Sequence, residues 1–171
     1  MITMAELESI AAAVRDALLS EGVGAALCEY PSGAKLRYTE PVVAVGIKKG
    51  SAVSPGFAEY MGELTDASTG ASSELYGKRF DVTVSLGIYS PKGGAFGAQG
   101  CVDTFSAVAA ALGAMPSGLR VRELSCGETR FDGATGMFLC NAEMKCTAFM
   151  YAVRSDEREI LDFTLRGTMI G

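Results

Sequence analysis

The stretch from Phe80 to Tyr89 alternates strictly between apolar side chains and other side chains. A side-chain period of two is typical of a strand that rests one face on a hydrophobic core. One side of the stretch carries Phe80, Val82, Val84, Leu86 and Ile88, and the other side carries Asp81, Thr83, Ser85, Gly87 and Tyr89. We therefore predict a central strand here, with Val84 and Leu86 buried under the elements that cover the sheet.

Weaker alternation predicts further strands along the chain, separated by turn-forming residues. These strands cover residues 23–30, 42–47, 119–126, 137–153 and 160–170. The strand from Met137 to Val153 follows a turn at residues 131–136. Its predicted core side chains are Phe138, Cys140, Ala142, Met144, Cys146 and Ala148.

Helical spacing of apolar residues predicts two helices. The first runs from Met4 to Leu19 behind a capping box formed by Thr3 and Glu6. The second runs from about Ala98 to Leu112. Its predicted apolar stripe is Cys101, Val102, Phe105, Val108, Ala109 and Leu112. The order of elements predicts one α+β domain over residues 1–171, a mainly antiparallel sheet with both helices packed on one face.

Between Ser51 and Lys78 the regular pattern is lost, which predicts a long irregular arm between two strands. The segment nevertheless contains large apolar side chains, which a pure linker would lack. Two interpretations stay open: a loop that folds over its own core, or an arm that packs on a neighbouring subunit. Because aromatic residues and Met are favoured at interface cores, the candidate interface residues are Phe57, Tyr60, Met61, Leu64 and Tyr76.

Composition narrows the possible functions. The formal net charge is −5, which argues against a tight or sequence-specific grip on nucleic acid. The longest apolar runs are far shorter than a membrane span, and the N-terminal residues do not resemble an export signal. The chain has no histidine and its five cysteines form no CxxC pair, so we expect neither a metal nor an organic cofactor.

Sites for chemistry are weak in this sequence, and we expect no enzyme activity. The glycine-rich stretch Gly93–Gly100 precedes the second helix but lacks a Gly-Lys-Ser/Thr phosphate motif, which favours a flexible connection. Two basic doublets flank the irregular segment. They are either solvated strand ends or a candidate basic rim facing an acidic partner or a DNA-bearing channel, formed by Lys48, Lys49, Lys78 and Arg79.

Taken in order, these elements resemble the phage tail terminator (tail completion) family, in particular the prophage type of Gram-positive bacteria. The resemblance rests on the helix Met4–Leu19, the strand PVVAV at 41–45, YMGE at 60–63 and ELYGKRFDVTVSLGIYSP at 74–91. The second helix and Phe131-Asp132 before the long strand complete it.

The resemblance implies a structural protein of virion assembly that forms a hexameric ring with copies of itself. Such a ring caps the tail tube protein and joins the tube to the head–tail connector protein. It implies assembly in the cytoplasm of a bacterial host and a final place in the virion tail, with no catalytic residues. It also matches the irregular segment at 51–78 to a hairpin or loop that projects from the sheet.

Two other functions stay open. One is a neck or head-closure adaptor of similar fold, which would form a similar ring between different neighbours. The other is a small-ligand-binding domain that uses the Gly93–Gly100 loop, which predicts a deep polar pocket and a monomer.

Overall fold

The computed structural model describes residues 4–27, 38–53, 60–113, 119–153 and 164–165. The fold class predicted from the pattern is confirmed, because two helices accompany a mainly antiparallel sheet. The elements are α1 (Met4–Ser20), β1 (Ala25–Leu27), β2 (Val42–Val53), β3 (Tyr60–Thr65), β4 (Ser72–Pro91), α2 (Gly97–Gly113), β5 (Leu119–Asp132), β6 (Met137–Val153) and β7 (Thr164–Leu165).

The strands form one sheet in the order β1-β2-β4-β6-β5, with β3 added beside β4 and β7 beside β6. All pairings are antiparallel except that of β1 with β2. β4 is the longest strand, and one of its sides pairs first with β3 and then with β2. Its other side pairs with β6 from Leu75 to Pro91. The sheet is therefore organised around the β4–β6 pair.

The hydrophobic core lies between one face of this sheet and both helices. The prediction for the central strand is confirmed, since Val84 and Leu86 are completely buried. The strand residues of the core share this face by register, because partners such as Val84 and Met144 lie directly opposite each other. They are Val43, Val45, Phe80, Val82, Val84, Leu86, Ile88, Leu119, Cys140, Ala142, Met144, Cys146 and Ala148. Both Cys140 and Cys146 act as small buried fillers, as predicted.

Helix α2 packs on the sheet through a stripe that differs from the predicted one. Val102 is 51 % exposed and Ala109 is also exposed, so their assignment to the buried stripe is wrong. The buried residues of α2 are Gly100, Cys101, Val108, Ala111 and Leu112. The helix is rotated toward its small residues because Gly100 lets the backbone approach Ser90 of β4 closely.

The structure corrects the prediction of an irregular arm at 51–78, because most of the described residues there lie in strands. β2 continues to Val53, β3 and β4 form a hairpin, and β4 begins at Ser72. The β3–β4 hairpin lacks clear alternation, and none of its described side chains belongs to the core cluster. Pairing between strands therefore defines this hairpin in the structure. Residues 54–59 lie outside the described part of the chain.

Another strand bound also differs, and parts of two predicted strands lie outside the described residues. β5 extends past residue 126 to Asp132, because two bulges break its alternation. β1 is described only over Ala25–Leu27, and the rest of the predicted strand to residue 30 lies outside the described residues. The same holds for the capping residue Thr3 and for most of the predicted strand at 160–170.

Two hairpin turns repeat one sequence pattern, D-x-x-T-G, which the sequence analysis missed. They are DASTG at 66–70 and DGATG at 132–136. In each turn the glycine N–H donates to the aspartate carbonyl over 2.8 Å, and the glycine has a positive φ of 69° or 70°. The carboxylate of Asp66 accepts from the Ser68 N–H, and that of Asp132 accepts from the Ala134 N–H. The turns that set the register of β3–β4 and β5–β6 are therefore built alike.

These turns predict a loss of stability in acid. Hydrogen bonds from Ser68 lower the pKa of Asp66, and the Thr135 hydroxyl lowers the pKa of Asp132. A lowered folded-state pKa stabilises the fold above the unfolded pKa near 4, and this contribution is lost as pH falls through the folded pKa. We expect urea midpoints measured between pH 6 and pH 2 to fall less steeply in Asp132→Asn, which keeps an acceptor oxygen but cannot be protonated. Parallel curves for the parent and Asp132→Asn would contradict this expectation.

Candidate subunit interface

One part of the sheet extends beyond the helix-covered core. β4 has 20 residues, a length of about 66 Å for a strand. Its core residues begin at Phe80, and the described side chains of the preceding stretch do not belong to the core cluster. That stretch pairs with β3 on one side and with the end of β6 on the other, and β6 pairs in turn with β7. We call this extension the arm; it comprises residues 60–65, 72–79, 149–153 and 164–165.

Four of the five candidate interface residues lie in the arm. Tyr60 is paired directly with Tyr76, and Leu64 is paired with Ser73. Met61 lies at the register shift between Tyr60 and Gly62, while Phe57 lies outside the described residues. The structure thus places Tyr60 and Tyr76 opposite each other on the two strands of the β3–β4 hairpin. The sequence pattern did not indicate this pairing.

The arm is acidic. Residues 60–77 contain three acidic side chains and no Lys or Arg. Glu63 and Glu74 are direct cross-strand partners, a placement in which like charges repel. Each carboxylate accepts one hydroxyl hydrogen bond: Ser72 donates to Glu63 over 3.1 Å, and Tyr76 donates to Glu74 over 2.6 Å. Cationic groups of a binding partner at this hairpin would reduce the repulsion between the two carboxylates.

The candidate basic rim is placed differently from the prediction. Its residues lie within β2 and β4 and not at strand ends, because both strands continue into the predicted loop. The ammonium group of Lys48 forms an ion pair with Glu143 on β6. Lys49 is opposite Thr83, and Arg79 is opposite Val53 and 3.5 Å from Asp81. Lys78 is opposite Met150.

These basic residues do not form one continuous rim. Lys49 and Arg79 are separated by four register positions along β4, about 13 Å along a strand. Lys48 and Arg79 each already have a carboxylate partner. Lys48 and Arg79 therefore belong to a surface of mixed charge.

The sheet face opposite the helices carries this mixed charge. Lys145 pairs with Glu123 over 2.9 Å, and the Thr147 hydroxyl donates to Asp81 over 3.2 Å. Exposed ion pairs of this kind contribute little to stability and are typical of a solvated face. They do set a pattern of alternating charge that a neighbouring surface could match.

Among the described strands, the sheet has unpaired edges on opposite sides. No described strand pairs with the outer edge of β5 from Leu119 to Asp132, and two register shifts bend this strand. On the other side, β1 covers β2 only at Val43–Val45, and in the described part of the chain no strand pairs with the outer edge of β2 after Val45. Unpaired edges are templates for pairing with another chain, and bulges such as those of β5 limit that pairing.

A shallow depression of about 420 Å³ lies along β5 and β6. It is lined by Gly127, Glu128, Arg130, Phe131, Asp132, Leu139 and Asn141. Nearby, burial and then the Asp132 carboxylate raise the pKa of Tyr89. No lining residue of this depression comes from the Gly93–Gly100 loop, so the depression does not match the pocket that a ligand-binding role for that loop predicts.

The Gly93–Gly100 loop leads into α2 and packs against the end of β4. The fully buried Ser90 hydroxyl donates to the Gly97 carbonyl oxygen over 2.7 Å. A Cβ atom at Gly100 would overlap the same hydroxyl oxygen. At least one glycine of this loop is therefore required for packing.

Within the described ranges, no three His, Cys, Asp or Glu side chains are grouped so that they could hold a metal ion. Neither described helix is long and apolar enough to cross a membrane. Sequence reasoning missed one pair of thiols: exposed Cys126 on β5 and buried Cys140 on β6 share a face of the sheet beside the β5 register shift.

Comparison of the chain with protein-family models and with curated protein sequences gives no match. A function for this chain therefore has to be inferred from three features of the structure: the arm, the two sheet edges and the mixed-charge face.

Proposed function

We propose that this protein is a structural component of virion assembly, a tail terminator that caps the phage tail tube as a ring and joins it to the head connector. In this proposal the protein is not an enzyme, and its partners are further copies of itself, the tail tube protein and the head–tail connector protein. The resemblance of the sequence to the tail terminator family suggests a hexameric ring, formed in the bacterial cytoplasm and retained in the virion tail.

The observation that carries the proposal is the arm. Its strands extend beyond the helix-covered core, and they carry Tyr60 and Tyr76 at paired positions. Tyrosine supplies large, rigid contact area at interfaces for a small loss of side-chain entropy. An arm of this kind suits contact with a neighbouring subunit.

The arrangement of the sheet edges supports a ring rather than a two-fold dimer. The outer edges of β5 and β2 lie on opposite sides of the sheet, and they differ in sequence. Contact between two different surfaces is heterologous, and such contacts build closed rings when the rotation between neighbours closes.

The proposal is tested in two steps. Native mass spectrometry and light scattering of the untagged full chain, over a range of concentrations, should detect one closed oligomer in addition to monomer. The protein should then stop elongation of purified tail tubes and appear at one tube end in electron micrographs. Binding to the head connector without binding to tubes would instead favour the neck adaptor, and a monomer at every concentration would contradict both functions.

A double substitution in the arm should separate assembly from folding. We expect Tyr60→Ser with Tyr76→Ser to shift the oligomer to monomer, because it removes aromatic contact area from an arm outside the core. Circular dichroism should show an unchanged fold. Leu19→Ser is the control, since Leu19 is a large apolar residue 48 % exposed on α1, away from the arm. Retained assembly in the double variant, or equal loss in Leu19→Ser, would contradict the role of the arm.

A further inference from the structure

Three cysteines from three elements lie close together on the helix-facing side of the sheet. Cys126 on β5 is exposed, while Cys140 on β6 and Cys101 on α2 are buried. The Cys101 thiol contacts the carbonyl oxygens of Ile88 and Phe138, both over 3.6 Å. Since Ile88 is the strand partner of Cys140, Cys101 lies directly over Cys140.

The bulge of β5 brings Cys126 and Cys140 together. Cys126 is opposite Ala142, and Thr129 is opposite Cys140, so both cysteines belong to the same face of the sheet. The register shift between Cys126 and Thr129 places Gly127 over Cys140, whose thiol donates to the Gly127 carbonyl oxygen over 3.4 Å. Burial and then the neighbouring Cys126 raise the pKa of Cys140. A solvent-accessible thiol thus lies beside a buried one at the edge of the sheet.

We propose that Cys126 and Cys140 form a peroxide-oxidisable pair, in which Cys126 reacts first and Cys140 closes an intramolecular disulfide between β5 and β6. The disulfide pair does not depend on the arm or on ring formation, so it is independent of the proposed function. Redox-sensitive cysteines are solvent-accessible and are often placed next to a second, resolving thiol.

The chemistry needs one hydroperoxide and two thiols. The Cys126 sulfur attacks the peroxide O–O bond and becomes sulfenic acid, and the other peroxide oxygen leaves as water after taking the thiol proton. The Cys140 sulfur then attacks the Cys126 sulfur, the S–S bond forms, and the sulfenic hydroxyl leaves as a second water with the Cys140 proton. The peroxide is reduced to two waters, and the protein loses two hydrogen atoms.

The second step should accelerate in alkaline solution. Burial raises the pKa of Cys140, and the neighbouring Cys126 adds to this effect. Since the thiolate is the attacking form, closure of the disulfide should become faster as pH rises from 7 to 9.

Tryptic digestion tests the pair directly, because each of the five cysteines falls on a different tryptic peptide. Cys126 is on the peptide 123–130 and Cys140 is on 131–145. The reduced full chain is treated with hydrogen peroxide, remaining thiols are alkylated, and the digest is analysed without reductant. We expect intact protein lighter by two hydrogen atoms and a linked 123–130/131–145 peptide that exceeds every other cysteine link.

Matched variants distinguish a specific pair from general oxidation. Cys126→Ser should abolish the link and leave Cys140 reduced, while Cys140→Ser should leave Cys126 as sulfenic or higher acids. Cys146→Ser should retain the link, because Cys146 is buried elsewhere on β6. Links spread over many cysteine pairs, disulfide-bonded dimers through Cys126, or over-oxidised Cys126 with reduced Cys140 in the unmodified chain would each overturn the proposal.

Discussion

Val84→Asp is expected to abolish folding of the chain. Val84 is completely buried at the centre of the sheet, opposite Ile47 on β2 and Met144 on β6. A carboxylate here would lose its hydration among apolar neighbours and find no cation. An uncompensated buried charge costs about 3–5 kcal/mol, a large part of the 5–15 kcal/mol that stabilises a typical domain. Circular dichroism and urea unfolding of the purified variant, or its recovery only as insoluble protein, would measure the effect.

The neighbouring position provides a matched control with the same new charge. Thr83 lies on the open face, directly opposite Lys145 on β6 and Lys49 on β2. An aspartate there would face two cations across the strands, and cross-strand pairs of opposite charge are favourable by about 0.2–1 kcal/mol. Thr83→Asp should therefore fold as well as the parent. Equal damage from Thr83→Asp and Val84→Asp would mean that both faces of the sheet are buried.

A second control tests how charges across the strands affect stability on the open face. Ser85 is opposite Glu143, so Ser85→Asp places two carboxylates side by side on the open face. We expect a small loss of stability, between the results for the other two variants. If instead Ser85→Asp folds normally but loses self-association, the open face takes part in the contact between subunits.

The central part of the fold could be predicted because one physical cause dominates there. Helices cover a single face of β4 and β6, so burial selects an apolar residue at every second position and the sequence records this choice. The bounds of β6 agree with the prediction from Met137 to Val153 for that reason. In β5 the register shifts after Val121 and Cys126 interrupt the alternation, and the predicted strand ended too early.

The arm could be predicted only in its position. The sequence indicated unusual apolar content between Ser51 and Lys78 but gave no period, because hydrogen bonds to neighbouring strands hold β3 and the start of β4. The partnership of Tyr60 with Tyr76 depends on the register that the turn at Asp66–Gly70 sets. A pattern search for two D-x-x-T-G turns would have indicated both hairpins.

The closeness of Cys126 and Cys140 was also hidden in the sequence. Their separation along the chain matches no metal-site spacing, and it is the register of β5 on β6, with its bulge, that places them near each other. Spacing rules recognise sites that are formed within one local element, whereas this pair is formed by cross-strand register.

Gly100→Ala should have the second largest effect on stability. The sequence pattern favours a flexible connection at this glycine, but in the structure it is the point where α2 meets β4. A Cβ atom would overlap the Ser90 hydroxyl oxygen and approach the Phe96 Cβ to 3.0 Å and the Ser90 Cβ to 3.2 Å. Ser90 is fully buried and its hydroxyl is committed to the Gly97 carbonyl, so it cannot move away freely. We expect a loss of about 1–3 kcal/mol, typical of overpacking, measured as a lower urea midpoint.

Two further variants separate overpacking from an effect on the helix itself. Gly113→Ala changes a glycine at the other end of α2 where no atom lies within 4 Å of the new Cβ, and it should leave the midpoint nearly unchanged. Ser90→Ala removes the overlapping oxygen, so the double variant Ser90→Ala/Gly100→Ala should be more stable than the sum of the single effects predicts. Such coupling in a double-mutant cycle identifies a direct contact between the two positions. Strict additivity would show that Gly100 is required for a reason other than the close approach of α2 to Ser90.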